Sequence, residues 1–378
     1  MSQTTRLEEK SMPVLYMALE LGWSKWVLGF ARQRGEKPRQ RTLAARDLEA
    51  LRREIELART RLGLPTNSRV ISCYEAGRDG FWLHRCLLGL GVENLVVDSS
   101  SIEVSRRARH AKSDGLDVQK LLALLIRYDQ GERKVWSVVR VPSPQEEDAR
   151  QPHRELEELK AQRTELCNRM RGLLASQGLD PGAGKKRLAR WPQLLLWDGS
   201  EVGSSLRARL EREQARLEMV EKQIRVVEAQ RREQLERSTE RTVEMVRHLK
   251  RLRSIGPASS WLLVRELFGW RQFQNRRQLA ALAGLAPTPR RSGDSLDQEQ
   301  GIVGGNGRVR RMMIEIAWLW QRLQPRSQLS LWFKQRFAGG NGRSRRVGIV
   351  ALARKLLVAL WRYCTTGEIP EGAELKPA

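Results

Sequence analysis

Cysteine and histidine are scarce: the 378 residues hold four of each. The four cysteines have no paired spacing, which argues against a disulfide scaffold and a zinc knuckle. His84, His110, His153 and His248 are far apart, which argues against a histidine-based metal site. Long apolar runs are also missing. The stretch LLALLI at 121–126 is far too short to span a bilayer. The opening MSQTTRLEEK lacks the apolar core of a signal peptide, so a cytoplasmic protein with no membrane partner is expected, associated with the nucleoid when bound to DNA. Acidic residues are missing from one region in particular. Residues 251–365 carry 21 basic and 5 acidic side chains, a net of +16 within a total of +25. Solvated helix faces account for the nearly balanced segment 141–250, net +3, but not for this block. Nucleic acid is the expected partner, because neutralising phosphates releases counterions.

What is present separates into regions. Residues 14–30 read as two strands around a turn at Gly22. A periodic helix follows over 46–62, a buried strand at 70–73, a short helix over 81–90, a strand at 95–98 and a helix over 113–128. Strands alternating with helices predict an α/β layer domain over 13–140, after a flexible segment 1–12. From 141 to 250, Leu159, Leu166 and Leu173 recur every seven residues, as do Leu210, Leu217 and Ile224. That spacing predicts two long helices joined by 177–203, a coiled-coil stalk or a plain helical hairpin. Residues 251–365 read as a helical, basic domain with a Pro/Gly-bearing loop at 286–307 and helices near 308–323 and 345–363. The tail 366–378 is expected to fray. The expected fold class is therefore α/β plus all-α. Trp318, Trp320, Trp332 and Trp361 lie on apolar helical stretches and read as core.

Four carboxylates stand out. Glu20 ends the first strand and Glu75 follows the next buried one. Asp114 and Asp117, three apart, open a helix and face one side of it. Hard oxygen donors without His or Cys suit Mg²⁺ or Mn²⁺. Each has a plainer reading: Asp114 as a helix cap, Glu75 as a loop carboxylate near Arg78, Glu20 as a turn residue.

The run Cys73-Tyr-Glu-Ala-Gly-Arg-Asp-Gly-Phe-Trp82, followed by Ala111-Lys-Ser-Asp-Gly-Leu-Asp117, resembles the DEDD-type transposases of the insertion sequence 110 family. The later run Gln278-Leu-Ala-Ala-Leu-Ala-Gly-Leu-Ala-Pro287, then Ser292-Gly293, resembles that family's C-terminal domain. The resemblance extends over about 14–365. It implies a RuvC-like, RNase H-type domain whose carboxylates, here Glu20, Glu75, Asp114 and Asp117, bind Mg²⁺ or Mn²⁺. Glu20 stands where the family usually has Asp.

It also implies a transposase domain over 251–365 whose serine nucleophile is Ser292, with Ser295 as the other candidate. That serine would cut and rejoin DNA through a phosphoserine link. Read without the resemblance, Ser292-Gly293 is a turn. The motif Leu252-Arg-Ser-Ile-Gly-Pro257 resembles the family's helix–hairpin–helix, with Ser254 in place of its first glycine.

A structured bridge RNA pairing with donor and target DNA is a further implication. So are a homodimer assembling to a tetramer and an active site shared by two chains. Arg106, Arg107, Arg109, Lys112, Arg290, Arg291, Arg308, Arg310, Arg311, Arg343, Arg345 and Arg346 are the candidate nucleic-acid contacts. Two other readings of the same residues are a RuvC-like structure-specific nuclease using metal-activated water and a non-catalytic nucleic-acid-binding remnant.

Overall fold

The computed structural model describes residues 13–78, 80–102, 114–182, 184, 188–286, 288–290, 298–300, 304–337 and 339–377. The chain divides into two compact units, 1–142 and 143–378.

The first unit is built on a five-stranded sheet. Strands β1 (Val14–Leu21), β2 (Lys25–Ala31) and β3 (Arg39–Ala44) form an antiparallel meander. Strands β4 (Arg69–Glu75) and β5 (Glu93–Val97) run parallel to β1 on its other side, giving the order β3-β2-β1-β4-β5. The β1–β2 turn closes with a 3.0 Å bond from Gly22 N–H to Lys25 O. A Cβ at Gly22 would stand 2.5 Å from that oxygen, so only glycine fits.

β1 is apolar on both faces because both are covered. Leu15, Met17 and Leu19 pack with Leu51, Ile55 and Ala58 of helix α1 (Leu48–Arg61) and Leu83 and Leu87 of α2 (Trp82–Gly89). Tyr16 and Ala18 face Val118, Leu121, Leu122 and Leu125 of α3 (Asp114–Asp129), together with Ile71 and Cys73 of β4. The strand period of two thus sorts one core into two layers.

The second unit is helical. Ser143 caps α4 (Pro144–Asp148), its Oγ accepting from Glu146 N–H while the Glu146 carboxylate accepts from Ser143 N–H. α5 (Gln151–Ala175) and α6 (Ser204–Arg237) pack along one another. The buried seam of α6 runs Leu210, Glu213, Leu217, Val220, Ile224, Val227, Arg231, alternating steps of three and four. The connection folds back through Trp191, whose Nε1 donates to Gln214 Oε1 at 2.7 Å.

α7 (Arg241–Lys250), α8 (Pro257–Leu263) and a π-helical turn (Val264–Phe268) follow. Then come α9 (Arg276–Leu282), strands β6 (Thr288–Arg290) and β7 (Gln298–Gln300), α10 (Gly307–Leu323), α11 (Gln328–Phe337) and α12 (Gly342–Thr366). One core joins Val246 and Leu249 of α7 to Trp261, Leu279, Met313, Trp320, Leu352 and Leu356.

Several expectations change. β3 was not foreseen, because RQRTLA has no apolar alternation. It is an edge strand, and its Arg39 reaches Glu54 of α1 at 2.7 Å. The second stalk helix stops at Arg237, where Ser238 turns extended. α7 lends its apolar face to the C-terminal core instead. The loop 286–307, read as irregular, carries the antiparallel β6–β7 pairing. The tail is not frayed. Leu375 pairs with Leu252, Glu374 O accepts from Arg253 N–H and from Gln324 Nε2, and Lys376 Nζ donates to Lys250 O and Ile255 O. Trp320 is core, its Nε1 bonded to Ser327 Oγ at 2.8 Å, and Trp332 and Trp361 pack partly buried against that core. Trp318 is half exposed on the outer side of α10.

Candidate functional site

Four contacts orient α3 on the sheet. Tyr16 Oη donates to Asp129 Oδ2 at 2.7 Å, at the start of β1. Cys73 Sγ lies 3.9 Å from Leu121 O. Val118 sits over Gly29, where an added Cβ would meet its Cγ1 at 2.3 Å. Gln40 Nε2 donates to Gly115 O at 2.8 Å. The helix therefore runs against β1 and brings its first turn toward the carboxyl ends of the strands. In open α/β sheets ligands bind at that edge.

Glu20 and Glu75 stand at the same edge. Leu19 pairs with Tyr74 in the parallel register, so Glu20 and Glu75 are the next positions on neighbouring strands. By alternation both face the α3 side, with Ala18 and Cys73. Glu20, Glu75 and Asp117 are half-buried, and Asp114, the first helical residue, is exposed. Burial, and then the Glu75 charge, push the Cys73 thiol well above its ordinary value, leaving it an inert core group. The four cysteines are free. Among the described residues, no three His, Cys, Asp or Glu side chains are gathered closely enough to hold a metal. The donor types at this edge, all carboxylate oxygens, are those a hard divalent cation takes.

One feature of this edge was missed. Trp23, on the β1–β2 turn, is 68% exposed, and the guanidinium groups of Arg46 and Arg78 lie 4.9 and 5.0 Å from its ring. It ties together the loops that follow β1 and β4, just beyond Glu20 and Glu75. Its place in the turn beside Gly22, outside both strands, is the trace of it in the sequence.

Ser292, Ser295, Arg291, Arg106, Arg107, Arg109 and Lys112 lie outside the described residues. Arg290 ends β6, paired with Gln298. The two ends of the segment carrying Ser292 are described, and they are pinned together. Asn306 N–H donates to Leu282 O at 2.8 Å. Gly284 and Gly305, at φ +65° and +79°, pack backbone to backbone. A Cβ on Gly305 would stand 2.3 Å from Gly284 N. Asn306 caps α10, its Oδ1 accepting from Arg308 and Val309 N–H.

Beneath this base lies Glu266, 2% exposed, on the π-helical turn. Arg154 of α5 grips it with two bonds of 2.9 and 3.1 Å, and Asn306 Nδ2 stands 3.4 Å away. Burial would push the Glu266 carboxyl up. The Arg154 hydrogen bonds and charge, with Arg150 and His153, overcome this and hold it below the usual carboxylate range. Sequence alone gave no sign that a residue of the stalk helix braces the loop.

The candidate arginines differ in their surroundings. Arg308 is engaged within the chain, 3.1 Å from Glu157. Arg310 lies beside the Gly284 backbone, and Arg311 is exposed. Arg343, Arg345 and Arg346 are exposed on the first turn of α12. Arg343 and Arg346 join Arg276, Arg354, Lys355 and Arg362 along an open groove of about 990 Å³ over Trp332 and Val350, whose lining also includes Glu368 and Glu371. Such a cationic, partly apolar groove suits a phosphate backbone. The helix–hairpin–helix resemblance falls on the α7–α8 turn. Ser254 adopts φ +77° there, the left-handed conformation that glycine takes freely, and the Gly256 N–H is occupied by Ser259 Oγ at 3.0 Å. Among the described residues, no helix is long and apolar enough to cross a membrane.

Comparison with known proteins bears on both halves of the chain. The model of the Transposase IS116/IS110/IS902 family matches residues 246–330, from α7 into α11, including the glycine-pinned loop. The chain is also 42% identical over 378 residues to "Putative transposase y4rJ" of Sinorhizobium fredii (strain NBRC 101917 / NGR234), across 96% of this chain and 94% of that protein. A likeness so nearly full-length, joined to a family match on the segment that frames the loop, leads to one conclusion: the chain belongs to the IS116/IS110/IS902 family of transposases.

Proposed function

We propose that this transposase cuts and rejoins the DNA of an insertion sequence through a covalent phosphoserine link, with Ser292 as the nucleophile. Glu20, Glu75, Asp114 and Asp117 would hold Mg²⁺ or Mn²⁺ at the carboxyl edge of the sheet. The observation that carries the reading is that Glu20 and Glu75 each follow the last parallel pair, Leu19 and Tyr74, on neighbouring strands, on the face whose covering helix opens with Asp114 and Asp117. The sheet order supports a RuvC-like, RNase H-type domain: an antiparallel meander followed by two strands parallel to the first.

The divalent cation, when bound, would polarise the scissile phosphate. The rest is work for the chain's own groups. The Ser292 Oγ–P bond forms as the bond from phosphorus to the sugar oxygen breaks, and the departing oxygen takes a proton. One phosphodiester replaces another, so a hydroxyl from a second strand can reverse the exchange without ATP. The pinned loop base holds together the two ends of the segment that carries Ser292, a restraint of the kind proximity catalysis uses. The long α5–α6 pair supports a coiled-coil contact between two chains, and a dimer would assemble into a tetramer to hold two DNAs. Guidance by a bridge RNA is part of the same reading. It rests on the resemblance and on the basic C-terminal block.

The test is to quench reactions in denaturant with Mg²⁺ present and look for protein–DNA adducts. Ser292→Ala is expected to bind DNA and form none, while Ser295→Ala still forms them. Adducts from Ser292→Ala would end the serine assignment. Free 3′-hydroxyl and 5′-phosphate ends without adduct would favour hydrolysis by water. Sequencing the RNA that copurifies with the chain tests the guide: complementarity to the target and donor DNA is expected.

A further inference from the structure

Arg231 occupies an unusual place. It is the next core position of the α6 seam after Leu217, Val220, Ile224 and Val227, and it is 6% exposed. The seam's other charged member, Glu213, is matched by Arg169 at 3.2 Å and Arg216 at 3.0 Å. Arg231 has no such match. Its Nη2 is buried without a hydrogen-bond partner, and its guanidinium lies 5.1 Å from the Trp261 ring.

A second cation shares that ring. Arg265, on the π-helical turn, is 9% exposed and also 5.1 Å from Trp261. It donates to Thr242 Oγ1 at 3.0 Å and stands 3.7 Å from the exposed Glu240, but its Nε has no partner. Burial pulls the Arg231 guanidinium down to about 10, and the neighbouring Arg265 charge adds to this, while the Glu228 and Glu157 carboxylates act the other way without restoring it. Two like charges, buried together with unfilled donors, are costly to keep unless something anionic joins them.

Both arginines line one cavity of about 460 Å³, the size of a small-ligand site. Its walls come from α4, the first turn of α5, the end of α6, Glu240 and Trp261. The acidic members, Asp148 and Glu240, are exposed, whereas the arginines are deep. An anion entering here therefore finds its partners at the back. Guanidinium forks match the oxygens of a phosphate.

We infer that this cavity is an oxyanion site that takes one backbone phosphate of a bound nucleic acid between Arg231 and Arg265. The oxyanion site stands on the cavity alone. Its assignment to nucleic acid rests on the DNA and RNA handling proposed above, and is favoured over a carboxylate because the adjoining block 251–365 carries net +16.

The experiment uses the full chain and two readouts. Thermal unfolding is compared in inorganic phosphate and in chloride at equal ionic strength. Wild type is expected to gain Tm in phosphate. Arg231→Met keeps a flexible stem over Trp261 and removes the buried charge, so it is expected to melt higher than wild type in chloride and to lose the phosphate response. Affinity for duplex DNA is then measured against salt, where the log–log slope should fall by about 0.9 for one lost phosphate contact. Equal responses to phosphate in both proteins, or none in wild type, would overturn the site. A lost phosphate response with an unchanged salt slope would overturn the nucleic-acid assignment. If Arg231→Met fails to fold, Arg231→Lys, which keeps the charge without the planar fork, should show a reduced phosphate response. Neither readout needs strand exchange, so failure of the recombinase reading leaves both interpretable.

Discussion

Gly29 of β2 and Val118 of α3 touch so closely that a Cβ on the glycine would stand 2.3 Å from Val118 Cγ1. This contact sets how near α3 lies to the sheet, and Asp117, which the proposed metal site takes from α3, is one residue earlier. Gly29→Ala should push the helix outward, costing about 1–3 kcal/mol of stability as overpacking does. DNA cleavage should fall by at least tenfold. Val118→Ala in the same chain should recover most of both losses, measured as a double-mutant cycle of unfolding midpoints and cleavage rates. A double variant no better than Gly29→Ala would show that the contact does not set the site.

Gly305 closes the base of the loop that carries Ser292, the nucleophile of the proposed reaction. Its backbone packs on Gly284 with no room for a side chain, and its φ of +79° is itself left-handed. Gly305→Ala is expected to part the loop ends while α10 and the core remain. Adduct formation should drop by at least tenfold, with helical content and DNA affinity held within twofold of wild type. Circular dichroism, a binding titration and the adduct assay check this together.

What the sequence reveals of this molecule follows how local each signal is. β1 and β4 are legible because a strand covered on both faces must be apolar throughout. α3 is legible from its 3.6-residue period. The register that sets Glu20 beside Glu75 is not local: it depends on β4 choosing β1 as its neighbour. β3 escapes because an edge strand needs no apolar alternation. Arg231 could have been found, since it falls on the seven-residue repeat after Ile224, yet a lone charge in a seam reads as an outer residue until its burial is seen. The Arg154–Glu266 pair spans 112 residues and leaves no pattern to read.

Ser254 gives a prediction in the opposite direction. It holds φ +77° with its Oγ buried and without a hydrogen-bond partner. A left-handed non-glycine residue costs roughly 1–2 kcal/mol. Ser254→Gly should therefore stabilise the chain by about 1 kcal/mol, less than the full strain because glycine gains freedom in the unfolded chain. The urea midpoint should rise with an unchanged slope.

Glu266 makes the braced loop base sensitive to acid. Its carboxyl is held below the usual range in the folded chain and returns to an ordinary value, about 4.3, on unfolding. The unfolded state then binds the proton more readily. The stabilisation is complete above the unfolded value and disappears as pH falls through the folded one. Glu266→Gln keeps the shape but loses the charge on bonds of 2.9 and 3.1 Å to Arg154. It should be less stable than wild type at pH 7 by about 1.5–3 kcal/mol, the range for hydrogen bonds to charged groups. Urea unfolding from pH 7 to pH 3 should show the two proteins converging below pH ~4, since other acidic groups titrate alike in both. A gap that stays constant across that range would mean Glu266 is not held ionised by Arg154.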